Sequence, residues 1–117
     1  MESLTISRGD IVLVDLQTGK GSEQGGMRPA VVIQNDVSNK YSSTTIVAPL
    51  TSKFYMKEYP TNVEVTAEES GLHVDSTILL NQIRTIDKSR IIKKISCLSS
   101  EVMSKVDIAI KVSLGLE

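Results

Sequence analysis

The 117-residue chain has no tryptophan, one phenylalanine, three tyrosines, one cysteine, one histidine and three prolines. Each shortage removes a class of explanation. A single cysteine, Cys97, forms no internal disulfide, so a reducing compartment fits and Cys97 reads as a small buried hydrophobe. No cluster of Cys and His has metal-ligand spacing, and the reading below calls for no metal and no cofactor. One histidine, His73 in Ser70-Gly71-Leu72-His73-Val74-Asp75, excludes a paired-histidine acid and base within one subunit and reads as a surface or structural residue. No apolar stretch is long enough to span a membrane, and Met1 to Arg8 lacks a positively charged leader, so a soluble cytoplasmic protein is expected.

The formal net charge of −1 gives no overall attraction for polyanions, but its distribution is uneven. From Arg84 to Lys94 there are five cations, Arg84, Lys88, Arg90, Lys93 and Lys94, against the single acid Asp87. By itself such a run is a solvated strand face.

The length predicts one domain over residues 1–117. Short β-branched runs at Ile11 to Leu16, Arg28 to Gln34 and Thr45 to Leu50, separated by Gly, Asn and Ser clusters, predict strands covered on both faces. Thr61 to Thr66 alternates as a half-exposed strand should, and Thr77 to Ile86 and Ile91 to Ser96 complete six, with Asp87-Lys88-Ser89 as a turn. Six short strands predict a small curled barrel. The period then changes: Val102, Met103, Val106, Ala109, Ile110 and Leu114 recur at helical spacing. Ser99 or Ser100 is the expected N-cap, Leu98 a staple onto Met103, and Gly115 the helix end.

The richest segment lies between the first two strands. Gly19-Lys20-Gly21-Ser22-Glu23-Gln24-Gly25-Gly26-Met27-Arg28-Pro29 places four glycines in eight residues and ends on a cation beside a proline that fixes φ. Loops of this kind commonly do no more than join strands. Here, however, the run from Arg8-Gly9-Asp10 through Gly21-Ser22-Glu23-Gln24-Gly25-Gly26-Met27-Arg28-Pro29 to Gln34-Asn35-Asp36 resembles the MazF/PemK family of toxin endoribonucleases, or mRNA interferases. The likeness continues through Ile46-Val47-Ala48-Pro49-Leu50-Thr51 and Ile78-Leu79-Leu80-Asn81-Gln82-Ile83-Arg84-Thr85-Ile86-Asp87, and is to the MazF proteins of Gram-positive bacteria in particular.

The resemblance implies a mainly β fold with added α, a small SH3-like barrel of the CcdB/PemK type with a C-terminal helix, assembled as a homodimer. It implies metal-independent cleavage of single-stranded RNA and a cognate MazE-like antitoxin with an acidic tail. Arg28 and Thr51 match the family's two catalytic positions. A planar guanidinium suits phosphate oxygens, and a threonine hydroxyl can bond the same group. Glu23, the loop's only carboxylate, or a water is the candidate for removing the 2′-hydroxyl proton. Ser22, Gln24, Gln82, Arg84 and Lys88 are the candidate RNA-binding residues. With so few aromatics, hydrogen bonding rather than stacking should read the sequence. Phe54-Tyr55-Met56-Lys57-Glu58-Tyr59 is equally consistent with touching RNA and with covering the barrel end. Two alternatives stand beside this reading. One is a CcdB-like gyrase poison, which needs a C-terminal tryptophan that the chain lacks; the other is a non-catalytic RNA-binding module, which would have lost Arg28 or Thr51.

Overall fold

The computed structural model describes residues 5–17, 19–53 and 55–116. Met1 to Leu4, Phe54 and Glu117, which entered the expectations above, lie outside the described residues.

Seven strands form one antiparallel sheet: β1 (Asp10–Asp15), β2 (Met27–Val32), β3 (Thr44–Thr51), β4 (Asn62–Val65), β5 (Ser76–Leu79), β6 (Arg84–Asp87) and β7 (Ile91–Cys97). Their order is β4-β5-β3-β2-β1-β7, with β6 also on β3. The long β3 is the spine. Along one edge it pairs β2, and along the other its first half pairs β6 and its last two residues pair β5. The expected single strand from Thr77 to Ile86 is therefore one pass along β3 that breaks in the middle. A 3-10 turn at Leu80–Gln82 sinks Leu80 into the core and lifts Asn81 and Gln82 out of the ladder. The ladder is also open rather than a closed barrel: among the described residues, β4 and β7 are its two ends and pair only inward.

The period-2 alternation divides the apolar residues of β1 to β3 between two cores. Ile11, Val31, Ala48 and Leu50 face one way and pack with Ile78, Leu80 and four residues of the C-terminal helix, Val102, Met103, Val106 and Ala109. Val12, Val14, Ala30, Val32 and Val47 face the other way and join Ile6, Leu16 and Ile86. No described helix contributes to this second cluster, so the curl of the sheet encloses it. This is why the first three strands read as continuous apolar runs.

The expected C-terminal helix is α3 (Ser100–Leu114); α1 (Asp36–Tyr41) and α2 (Ala67–Ser70) are additions. In α3, Ser99 caps the Val102 N–H, Leu98 and Met103 are buried in the same core, and Gly115 ends the helix at φ 72°. The short helices also start on sequence signals: Asn35 caps the Ser38 N–H, and Thr66 with Glu69 forms a reciprocal capping box. Asn39 ties α1 inward, donating to the Gln34 carbonyl and accepting from the Thr45 hydroxyl at 2.8 Å. Cys97 corrects its expectation. It lies on the end strand β7 opposite Asp10, where no further strand covers it, and its side chain is exposed. His73 is exposed in the bend after α2, where a surface residue was expected.

Candidate active site

The β2–β3 register brings Arg28 and Thr51 together. Ala30 pairs with Pro49, Val31 with Ala48 and Val32 with Val47. Continuing that register by two residues sets Arg28 opposite Thr51 on the face that carries Ala30, Val32 and Val47. Arg28 is also opposite Val14 across β1, and Thr51 opposite Thr77 across β5. Both residues thus stand at the end of rows that begin as buried valines and alanine.

Arg28 is half-buried and held at two points. Its Nε donates to the Gly25 carbonyl and its Nη1 to the Leu50 carbonyl, both at 3.2 Å. Two carbonyl partners stabilise the cation, and the remaining guanidinium donors are left for a ligand. Thr51 is nearly buried at 9% exposure, and its Oγ1 accepts the Lys53 N–H at 3.2 Å. With a lone pair engaged there, its O–H is free to donate.

The glycine loop over Arg28 has a closed neck. The Gly26 N–H donates to the Gln17 carbonyl at 2.6 Å, and the Leu16 N–H to the Gly26 carbonyl at 3.0 Å. A Cβ on Gly25 would sit 2.7 Å from the Gln17 carbonyl oxygen, and one on Gly19 would strike the backbone of Glu23, so the two strands of the neck can pass only as glycines. Above the neck, Gln82 reaches across from its 3-10 turn. Its Oε1 accepts the Gln24 N–H at 2.8 Å and its Nε2 donates to the Ser22 carbonyl at 3.2 Å. Glu23 serves the loop's own turn, accepting the Lys20 N–H at 2.9 Å.

The expected RNA-binding residues separate into two groups. Ser22, Gln24 and Gln82 belong to the loop and its brace. Arg84 pairs with Val47 and so shares the face of Thr51, farther along β3. Lys88 does not join them. It follows Asp87, which pairs with Thr44 at the opposite end of β3 from Thr51, roughly 23 Å away at the rise of a strand. Its Nζ bonds the Asn39 carbonyl, whereas Arg90 donates to the Asp15 carbonyl at the Arg28 end of β1 and Lys94, opposite Val12, pairs with Asp10 at 3.2 Å. The basic run is therefore dispersed: Arg84 and Lys94 share the site face by register, Arg90 reaches the Asp15 end of β1 beside the Val14–Arg28 pair, and Lys88 follows the Thr44 end of β3. The brace by Gln82 is what the sequence pattern missed, since its partners lie 58 and 60 residues away.

After Thr51, Tyr55 and Tyr59 meet edge to face with centroids 6.0 Å apart, and Lys53 lies over the Tyr55 ring. Among the described residues no three His, Cys, Asp or Glu side chains are grouped to hold a metal, and no helix is long and apolar enough to cross a membrane. A groove of about 630 Å³ opens elsewhere, between Tyr59 to Glu64 and the Lys105, Ile108 and Ala109 face of α3. It contains neither Arg28 nor Thr51.

A guanidinium fixed opposite a threonine hydroxyl, beneath a glycine loop at the end of a curled sheet, defines a small mainly β protein with a cationic candidate site. Solved structures share that architecture. MazF from Deinococcus radiodurans superimposes with a TM-score of 0.80 at 26% identity over 96% of this chain and 98% of its own. The MazE-MazF structure from the same organism gives 0.76 at 26% identity, over 97% of this chain and 99% of that one. Residues 7–114 match the model of the PemK-like, MazF-like toxins of type II toxin-antitoxin systems, and the chain belongs to that family. It is 50% identical to endoribonuclease EndoA of Bacillus subtilis (strain 168), over 97% of each chain.

Proposed function

We propose that the chain is a metal-independent, sequence-specific endoribonuclease that cuts single-stranded RNA, the toxin half of a type II toxin-antitoxin pair. The observation that carries this reading is the placement of Arg28 opposite Thr51, with the guanidinium pinned by the Gly25 and Leu50 carbonyls. In the reaction the ribose 2′-oxygen attacks the adjacent phosphorus, the bond to the 5′-oxygen breaks, and the products carry a 2′,3′-cyclic phosphate and a 5′-hydroxyl. Arg28 neutralises the charge that grows on the phosphorane, a role that suits a cation with a pKa above about 12 better than proton transfer does. Thr51 donates its hydroxyl proton to a phosphate oxygen and fixes its position.

The 2′ proton goes to Glu23 or to water, and the departing 5′-oxygen takes up its proton from water. For Glu23 to act, its carboxylate must leave the Lys20 N–H. An unchanged pH profile in Glu23→Gln removes it as the base. Ser22, Gln24, Gln82 and Arg84 are the nearby groups for base edges and phosphates, while Lys88 would serve only a strand long enough to reach the far end of β3. Residues 1–117 act as one toxin domain, paired as a homodimer in the cytoplasm, and a MazE-like antitoxin covers the site by setting carboxylates near Arg28 and Arg84. The 50% identity to an endoribonuclease and the likeness to MazF bound by MazE support this reading. The gyrase-poison and silent-module alternatives are not favoured: the family match is to PemK- and MazF-like toxins, and both site residues are present.

The test is incubation of the purified protein with a long single-stranded RNA in EDTA. Discrete fragments with 5′-hydroxyl ends are expected. Binding without cuts, or cuts that require a divalent cation, would sink the proposal.

A further inference from the structure

We infer that Gln82 is a positioning residue that sets the orientation of Arg28 through the backbone of the glycine loop, an inference that rests on the nuclease reading for its consequence in turnover. Of the two carbonyls that hold the guanidinium, Leu50 belongs to β3 and cannot move independently of the sheet. Gly25 belongs to the loop, so the loop's position decides whether the Nε anchor exists. The neck holds the base of the loop by the Gly26 N–H on the Gln17 carbonyl, which restrains the shared Gly25–Gly26 peptide, and with it the Gly25 carbonyl, from the Gly26 side; the loop above that peptide is not held by the neck. What fixes its upper part is the Gln82 amide, which bonds the Ser22 carbonyl and the Gln24 N–H, the latter one residue before Gly25. A continuous path therefore runs from the Leu80–Gln82 turn through Gln24 and Gly25 to the Arg28 Nε.

The chemistry of the amide explains why glutamine suits this place. It brackets the loop with one acceptor and one donor, and each polar atom keeps one further site: a second lone pair on Oε1 and a second hydrogen on Nε2. Gln82 can thus hold the loop and present the same amide to a base at once. That links the group that reads RNA to the group that stabilises the phosphorane. The break in the β5 to β6 pass is what makes this possible. At the break Gln82 leaves the ladder on β3, and its amide bonds the loop instead.

The experiment uses Gln82→Leu and Gln82→Glu in the full chain. Two reporters in the RNA-free protein are read by NMR, the exchange rates of the Gln24 amide and of the Arg28 Nε–H, alongside kcat and KM on a single-stranded RNA oligonucleotide. In Gln82→Leu both exchange rates should rise at least about tenfold, and kcat should fall by a similar factor with a smaller change in KM. Glutamate retains the acceptor for the Gln24 N–H and loses the donor to Ser22, so Gln82→Glu should restore the Gln24 protection and part of kcat. An Arg28 Nε–H that exchanges as in the wild type in Gln82→Leu overturns the inference, as does a raised KM with kcat intact, which would make Gln82 an RNA contact only. Should the wild-type chain cut no RNA, the nuclease reading fails while the two exchange rates still decide whether Gln82 positions Arg28.

Discussion

The two faces of the sheet are stabilised by different physics. On the α3 side, Ile11, Val31, Leu50, Ile78 and Val106 are at most 1% exposed, and α3 closes over them. Their contribution is burial and close packing, which is non-directional and proportional to the area removed from water. The opposite face starts in the same way, with Val12, Val14, Ala30, Val32 and Val47, but its rows end in Arg28, Thr51 and Arg84. There the groups are polar, partly open to solvent, and placed by individual hydrogen bonds. Ala30 is core and Arg28, one step along the same row, is site. Stability and chemistry should therefore come apart under mutation, one face governing each.

The sharpest break of that comparison is Arg28→Ala. Loss of the cation should lower turnover by about 10²- to 10³-fold or more, the scale of removing a transition-state donor. Melting should stay close to that of the wild type, because the side chain is half-buried and bonds only carbonyls. Turnover near the wild-type level would mean that the site face does not carry the chemistry. Ile11→Ala is the mirror experiment. Truncation of this fully buried residue should cost about 2–5 kcal/mol of stability in urea unfolding, with turnover per folded molecule preserved. A loss of turnover in the folded fraction would show that the two faces are mechanically coupled. Thr51→Val tests the site face more gently, since it keeps the β-branched shape and removes only the hydroxyl. A hydrogen bond to a charged group contributes about 1.5–3 kcal/mol, so turnover should drop by about 10- to 100-fold. A melting temperature that fell as far as in Ile11→Ala would place Thr51 with the core.

The same contrast explains what the sequence made legible. β1, β2 and β3 announce themselves because strands covered on both faces must be continuously apolar, and α3 because its cap, staple and terminal glycine are all local signals. The break at Leu80–Gln82 has no such signal: neither Gly nor Pro stands there, and the turn exists because Leu80 is drawn into the core under α3. The capping box Thr66 to Glu69 is written in the sequence, but a four-residue helix has too little periodicity to be seen around it. Arg28 and Thr51 were singled out through family resemblance, not from any local signal, and the register sets the two opposite each other. Lys88 was legible as a cation, but its place beside the Thr44 end of β3 was not, because charge along the chain does not report which strand end a residue occupies. Cys97 was misplaced for a related reason, since whether a strand lies inside a sheet or at its end is decided by pairing partners far away in sequence.

The smallest effect tests the far end of β3, away from both the core and Arg28. Asp87 is fully exposed, and the Ser89 hydroxyl and backbone N–H, followed by the charge of Arg90, hold its carboxyl below its usual value of 3.8. A carboxyl whose folded pKa is depressed contributes stability that is fully present above the unfolded value and is lost as the pH falls through the folded one. Asp87→Ala should therefore melt slightly below the wild type at neutral pH, and the gap should close as the pH drops past 3.8 and the wild-type carboxyl takes up its proton. RNA cleavage at neutral pH should be unchanged, because Asp87 pairs with Thr44 while the proposed chemistry lies at Thr51. A melting gap that persists well below 3.8 would mean that the turn needs the side chain rather than its charge. A fall in cleavage would instead bring this end of β3, and Lys88 beside it, back into the RNA path.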